Sequence, residues 1–134
     1  MEGTPMPKSE ECRYLKSHEW VFLHEDKAWV GISDHAQKEI TDIVFVELPK
    51  VGRKIAHGEA AGVIESVKAA FDIYSPLSGE IIAVNGDVSQ DPALVNRSAQ
   101  EKGWLFQIKP SNLKELDGLM DWLKYQEFLK SQAH

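Results

Sequence analysis

A series of short apolar runs, each closed off by turn residues, limits this chain to few folds. Glu19-Trp20-Val21-Phe22-Leu23 and Ala28-Trp29-Val30-Gly31-Ile32 flank the charged His24-Glu25-Asp26-Lys27, which reads as a β-hairpin. Strand character begins at Tyr14, and further strands are predicted over 42–48, 61–65, 71–74, 80–84 and 104–108. In the first of these, Ile43, Val44, Phe45, Val46 and Leu48 leave little room for alternation, as in a strand covered on both faces or at a sandwich core. Ser75-Pro76, Ser78-Gly79, Asn85-Gly86 and Asp91-Pro92 punctuate the series with turn chemistry. Short strands and turns at this spacing predict a mainly β chain, a small barrel or sandwich.

Helix is expected in two places. Asp34 can cap a short helix over 36–40, with Gln37 three residues on completing a capping box. After Pro110, Asn112 and Glu115 repeat that pattern, and Leu113, Leu116, Met120 and Leu123 recur at spacings of three and four. Tyr125, Phe128 and Leu129 continue the stripe, which Gly118 is expected to split into two helices within 111–131. Residues 1–12 are polar with two prolines and read as a flexible leader, leaving 13–134 as one domain.

Composition removes several classes of function. At 134 residues the chain suits one domain, which buries roughly two-thirds of its unfolded surface without a metal or disulfide staple. Twenty-one acidic against 15 basic residues give a net charge of −6, so neither nucleic acid nor an anionic membrane is an expected partner. No apolar run reaches 18 residues, and the N-terminus shows no secretory or transit pattern, so the expected compartment is the cytoplasm. Cys12 is the single cysteine and cannot close an internal disulfide. His18-Glu19 begins like a zinc-protease motif, but Phe22 stands where the second histidine belongs. There is no Gly-x-Ser-x-Gly elbow, phosphate loop or dinucleotide fingerprint, and Asn96-Arg97-Ser98 is a sequon without a secretory signal. No catalytic residue and no metal are expected.

Lys68, in Ile64-Glu65-Ser66-Val67-Lys68-Ala69-Ala70-Phe71, stands at the junction of two strand-like runs among small neighbours. A lysine there is ordinarily a solvated turn charge. Its other use is as a tether, a flexible stem whose amine a second enzyme acylates.

These residues carry a resemblance. Glu65-Ser66-Val67-Lys68-Ala69, followed by Tyr74-Ser75-Pro76-Leu77-Ser78-Gly79-Glu80, resembles the lipoyl-lysine segment of the glycine cleavage system H-protein family. Three further blocks match that family in order: Ser17-His18-Glu19-Trp20, Val30-Gly31-Ile32-Ser33-Asp34-His35-Ala36-Gln37 and Asp42-Ile43-Val44-Phe45-Val46-Glu47-Leu48-Pro49. Val84-Asn85, Pro92-Ala93-Leu94-Val95-Asn96 and Gly103-Trp104-Leu105 resemble its later landmarks. Biotin carriers place methionines beside the lysine, where Val67 and Ala69 stand here. Lipoyl domains of 2-oxo acid dehydrogenases typically carry Asp before it and lack the C-terminal helices.

The resemblance implies a barrel-sandwich hybrid of the lipoyl/biotinyl hammerhead type. It implies a carrier rather than an enzyme, with lipoate in amide linkage to Lys68 as its cofactor. Lipoyl acceptors generally are thought to present a Glu three residues before the lysine and a Gly eleven after; Glu65 and Gly79 stand there. In the family, glycine decarboxylase loads an aminomethyl group on the lipoyl arm. Aminomethyltransferase then passes the carbon to tetrahydrofolate, and dihydrolipoyl dehydrogenase reoxidises the arm; a lipoate ligase or a lipoyl/octanoyl transferase attaches it. The loaded arm folds into a cleft whose family residues map onto Ser17, Glu19 and Asp72. A monomer is expected. Two alternatives share the same signature: a relay that donates lipoyl groups to other lipoyl domains, and an unmodified regulatory paralogue. Three departures stand out: Ile40-Thr41 in place of the usual Leu-Gly, bulky Phe71 near the arm, and Ser98-Ala99-Gln100-Glu101-Lys102 before Gly-Trp.

Overall fold

The structure, a computed structural model, describes residues 7–132. Nine strands are found among them, all paired antiparallel. β1 (Arg13–Tyr14), β2 (Glu19–His24), β3 (Lys27–Ile32), β5 (Lys54–Ile55), β8 (Gly79–Val84) and β9 (Phe106–Pro110) form one sheet in the order β1-β2-β3-β9-β8-β5. β4 (Ile43–Glu47), β6 (Ala60–Ser66) and β7 (Ala70–Tyr74) form a second, in the order β4-β6-β7. The expected hairpin is β2–β3, paired from Glu19↔Ile32 to His24↔Lys27. Its two turn residues, Glu25 and Asp26, both have positive φ, at 52° and 67°, as a tight turn matching the twist of its strands requires.

Val30, Ile32, Ile64, Ile73, Leu77, Ile81, Phe106 and Ile108 meet in one core shared by the two sheets. Each fully buried aliphatic or aromatic side chain of this kind contributes roughly 1.5–3 kcal/mol relative to exposure. A second, aromatic core joins Cys12, Tyr14, Trp20 and Tyr125. Tyr14 stacks on Tyr125 with ring centres 4.2 Å apart, which seats the C-terminal helix α4 (Trp122–Gln132) on the end of the larger sheet.

Helical detail differs from the sequence reading. Helix α1 (Asp34–Ile40) is capped by Ser33, whose hydroxyl oxygen accepts the Ala36 N–H; Asp34 is its first residue and binds Gln37 instead. Two short helices, α2 (Gly86–Gln90) and α3 (Ala93–Ser98), occupy the stretch read as turns. Asn85 does serve there, but as a helix cap: its side-chain oxygen accepts the Asp87 N–H. The C-terminal region does break at Gly118, but its first half, Leu113–Gly118, is 3-10 rather than α. Glu115 closes no capping box; its carboxylate accepts both the N–H and the hydroxyl of Ser78 at 2.7 Å. Of the expected leader, residues 1–6 lie outside the described residues. Ser9–Glu11 form a 3-10 turn, and Cys12 is buried beneath it, with its thiol pushed up to about 12 by burial and, secondarily, by Glu11.

Candidate functional site

Lys68 sits at the tip of the β6–β7 hairpin, and Ser66 shapes that tip. The Ser66 N–H donates to the Ala69 carbonyl at 2.8 Å, while its hydroxyl oxygen accepts the N–H groups of Lys68 and Ala69, each at 3.2 Å. A serine hydroxyl standing in for a backbone acceptor is a turn device that needs no glycine. The Val67 N–H donates to the Asp42 carbonyl, tying the tip to the start of β4. Val67, Lys68, Ala69 and Ala70 are all exposed, so the lysine is presented clear of the body. Glu65 is also exposed, between Phe45 of β4 and Ala70 of β7 in the strand register.

Gly79 begins β8, paired with Ile55 on one side and Pro110 on the other. A Cβ there would stand 2.2 Å from the Lys109 carbonyl oxygen, so the approach of β8 to β9 itself requires glycine.

β7 is an edge strand, and a cavity of about 420 Å³ runs along its free edge. Ser17, Glu19 and Asp72 all line it, brought together from the start of β2 and the middle of β7. Ile32, Ala36, Ile40 and Ile73 supply apolar wall, and Phe71, the bulky departure, lines it too at 36% exposure. Glu19 is 1% exposed. Its Oε2 accepts the Tyr74 N–H at 2.9 Å, which satisfies part of the strand edge, and its Oε1 accepts the Ser17 hydroxyl. Among the described residues no cation pairs with it. Burial pushes its carboxyl up, and the bonds from Ser17 and Tyr74 oppose that shift.

Two residues that sequence reasoning left without a role in the site also line the cavity, His18 and Glu39. His18 has φ 82°, in the left-handed region that non-glycine residues rarely adopt. Its Nδ1 lies 2.8 Å from the Tyr125 hydroxyl, which also bonds the Ser33 hydroxyl at 2.7 Å. Helix α4 is thereby fastened to the cavity wall. Burial, and then neighbouring His35, holds the His18 imidazole below its ordinary range. The Ser-His-Glu block was a usable pointer to His18; nothing in the sequence pointed to Tyr125, which lies 107 residues away.

Thr41 follows α1 with φ 67°, in the position where the resemblance implies glycine. Asn96, the residue of the sequon, braces it: Nδ2 donates to the Thr41 carbonyl at 2.8 Å and Oδ1 accepts the Ile43 N–H at 3.0 Å. A second cavity of about 540 Å³, between α2, α3 and Trp104, is larger, but none of Ser17, Glu19, Glu65, Lys68, Asp72 and Gly79 lines it.

Residues 12–132 match the glycine cleavage H-protein family. The chain belongs to that family. It is 52% identical over 125 residues to the glycine cleavage system H protein of Nitrosomonas eutropha, covering 92% of this chain and 96% of that one. Identity to the H protein of Teredinibacter turnerae is 54% over 124 residues, covering 92% and 95%. The crystal structure of an H protein from Mycobacterium marinum superposes with a TM-score of 0.82 at 29% identity, over 93% of this chain and 98% of that one. The fold is accordingly the barrel-sandwich type expected from the resemblance. As an H-protein the chain is a lipoyl carrier of the glycine cleavage system, a component that performs no catalysis of its own. Among the described residues no helix is long and apolar enough to cross a membrane.

Proposed function

We propose that Lys68 is the residue that carries lipoate and that the cavity beside β7 receives the loaded end of the arm. The observation that carries this reading is Glu19: a carboxylate almost fully buried, without a cation among the described residues, at a polar point of a largely apolar cavity. A buried anion is costly unless paired. A cationic amine entering the cavity would supply the missing partner through a charge-assisted hydrogen bond. The cavity lies in the size range of small-molecule pockets, and the strand along which it runs starts two residues after Lys68, so these residues fit an arm anchored there.

When attached, lipoate supplies a redox-active disulfide on a long flexible stem, and the carrier chemistry belongs to it. The chain's own residues do the rest. Ser17 and the Tyr74 N–H fix the Glu19 carboxylate, and a bound ammonium would draw its raised carboxyl back toward the ionised form. Asp72, exposed at the mouth, adds a second negative group on the path of the amine. The walls of Ile32, Ala36, Ile40 and Ile73 keep water from the labile carbon–nitrogen bond. Glu65 is displayed beside the hairpin tip for the modifying enzyme, and Gly79 is the second residue proposed for its recognition. The partners are glycine decarboxylase, aminomethyltransferase, dihydrolipoyl dehydrogenase and a lipoate ligase or a lipoyl/octanoyl transferase.

Reconstitution tests this. The lipoylated chain, mixed with the three glycine cleavage enzymes, tetrahydrofolate and NAD, supports glycine-dependent NADH formation, and Lys68→Ala abolishes it. Turnover sustained by Lys68→Ala would refute the assignment.

A further inference from the structure

The face of the three-stranded sheet turned away from the core exposes apolar side chains that do not line the cavity. In β4, Ile43 pairs with Ser66 and Phe45 with Glu65, so two residues advance on β4 for one on β6. That bulge removes the alternation which would bury one of each neighbouring pair. Val44 and Phe45 both reach solvent, at 54% and 49% exposure, and Val67 of the lysine tip is 70% exposed. The hydrogen bond from the Val67 N–H to the Asp42 carbonyl places these side chains and Lys68 on adjoining segments. The three strands with their hairpin tip carry Glu47, Glu65 and Asp72 and a single cation, Lys68 itself.

We propose that Val44, Phe45 and Val67, rimmed by Glu47 and Glu65, form the docking surface for the enzyme that acylates Lys68. Its complementary face is an apolar depression ringed by Lys and Arg. The inference rests on the reading of Lys68 as the lipoyl attachment point, and geometry selects this partner. In the acylation step Lys68 Nζ bonds to the acyl carbon of an activated lipoyl group. The bond from that carbon to its adenylate or thiol leaving group breaks, and the amine proton passes to the modifying enzyme. That enzyme must bring the acyl carbon to bonding distance of Nζ, so it touches whatever surrounds the hairpin tip. Enzymes that act on the far end of a long arm need not. Charge complementarity agrees: an acidic rim steers and registers a basic partner face.

The test uses the full unmodified chain with a lipoate ligase, lipoate and ATP, comparing wild type with Val44→Ser/Phe45→Ser and with Leu123→Ser on α4 as an exposed control. Circular dichroism and thermal unfolding confirm that each is folded; Val67→Ser in the hairpin tip replaces the double variant if that one unfolds. The patch variant raises KM for the chain, and Kd measured without ATP, about tenfold, with kcat within about twofold. Leu123→Ser matches wild type, and added salt weakens wild-type binding. Unchanged KM and Kd in the patch variant, with wild type fully modified, would overturn this inference alone. Absence of modification in wild type, beside a working acceptor, would overturn the underlying reading as well. Concentration-dependent dimerisation lost in the patch variant would assign the surface to a second copy of the chain and overturn the proposal.

Discussion

Thr41 offers a sharp energetic test, because its backbone and its chemistry disagree. Its φ of 67° with ψ of −145° lies where a β-carbon is crowded, and a β-branched side chain is among the least suited to it. Strain of this kind costs on the order of 1–3 kcal/mol and persists only where neighbours over-determine the conformation. They do so here: the Thr41 N–H closes α1 onto the Gln37 carbonyl, and Asn96 clamps the Thr41 carbonyl while holding the Ile43 N–H. Thr41→Gly releases the strain and keeps all three bonds. Against it stand glycine's greater unfolded-state freedom, roughly 0.5–1 kcal/mol, and the lost hydroxyl bond to the Ile40 carbonyl, a local contact with little net value in water. The balance is a gain of about 1 kcal/mol, or about 3–5 °C in Tm for a chain of this size. Urea and thermal unfolding of the two proteins measure it. A Thr41→Gly chain less stable than wild type would refute the strain argument and place the value of Thr41 in contacts of its side chain.

Glu19→Gln keeps an acceptor for the Tyr74 N–H while removing the buried charge, so stability near neutral pH holds or rises. The loaded arm loses a charge-assisted partner worth about 1.5–3 kcal/mol, so ammonia leakage rises about tenfold or more; unchanged leakage would remove Glu19 from the arm cavity. Gly79→Ala sets a methyl against the Lys109 carbonyl and destabilises by about 1–3 kcal/mol in urea unfolding, whether or not the modifying enzyme reads that glycine. His18 is held below its ordinary pKa near 6.5, so the unfolded chain takes up a proton there before the folded chain does. Its contribution is therefore intact above 6.5 and is lost as pH falls below it. His18→Gln reduces the stability lost between neutral pH and about pH 5; Glu39 and His35, which also act on the ring, stay unchanged in that comparison.

The β framework was legible because burial on one face, or on two, stamps period and composition on each strand. The β2–β3 hairpin and β4, β6, β7 and β8 fall within one residue of their sequence ranges, whereas β9 starts two residues later than expected. Strand character was expected from Tyr14, the second residue of β1, whereas β5 escaped, since two residues carry no period. α2 and α3 were hidden because Asn-Gly and Asp-Pro announce turns and helix starts alike, and each helix is too short to display a face. The position of Lys68 at an exposed hairpin tip was readable from its small neighbours, but the serine that builds the tip was not. Glu19 and Asp72 are 53 residues apart, and no local pattern brings them to one cavity; the resemblance named them, and the free edge of β7 explains why they meet. Glycine at position 79 illustrates the converse: a residue named for recognition also has a packing reason of its own.

The carrier reading stands or falls on one mass measurement. The full chain, incubated with lipoate, ATP and a lipoate ligase, is weighed intact and mapped by peptides beside Lys68→Ala. A single lipoyl-sized addition confined to the peptide containing Lys68, absent from the variant, is the predicted result. No addition while a control acceptor is fully modified, or an addition that persists in Lys68→Ala, would contradict it.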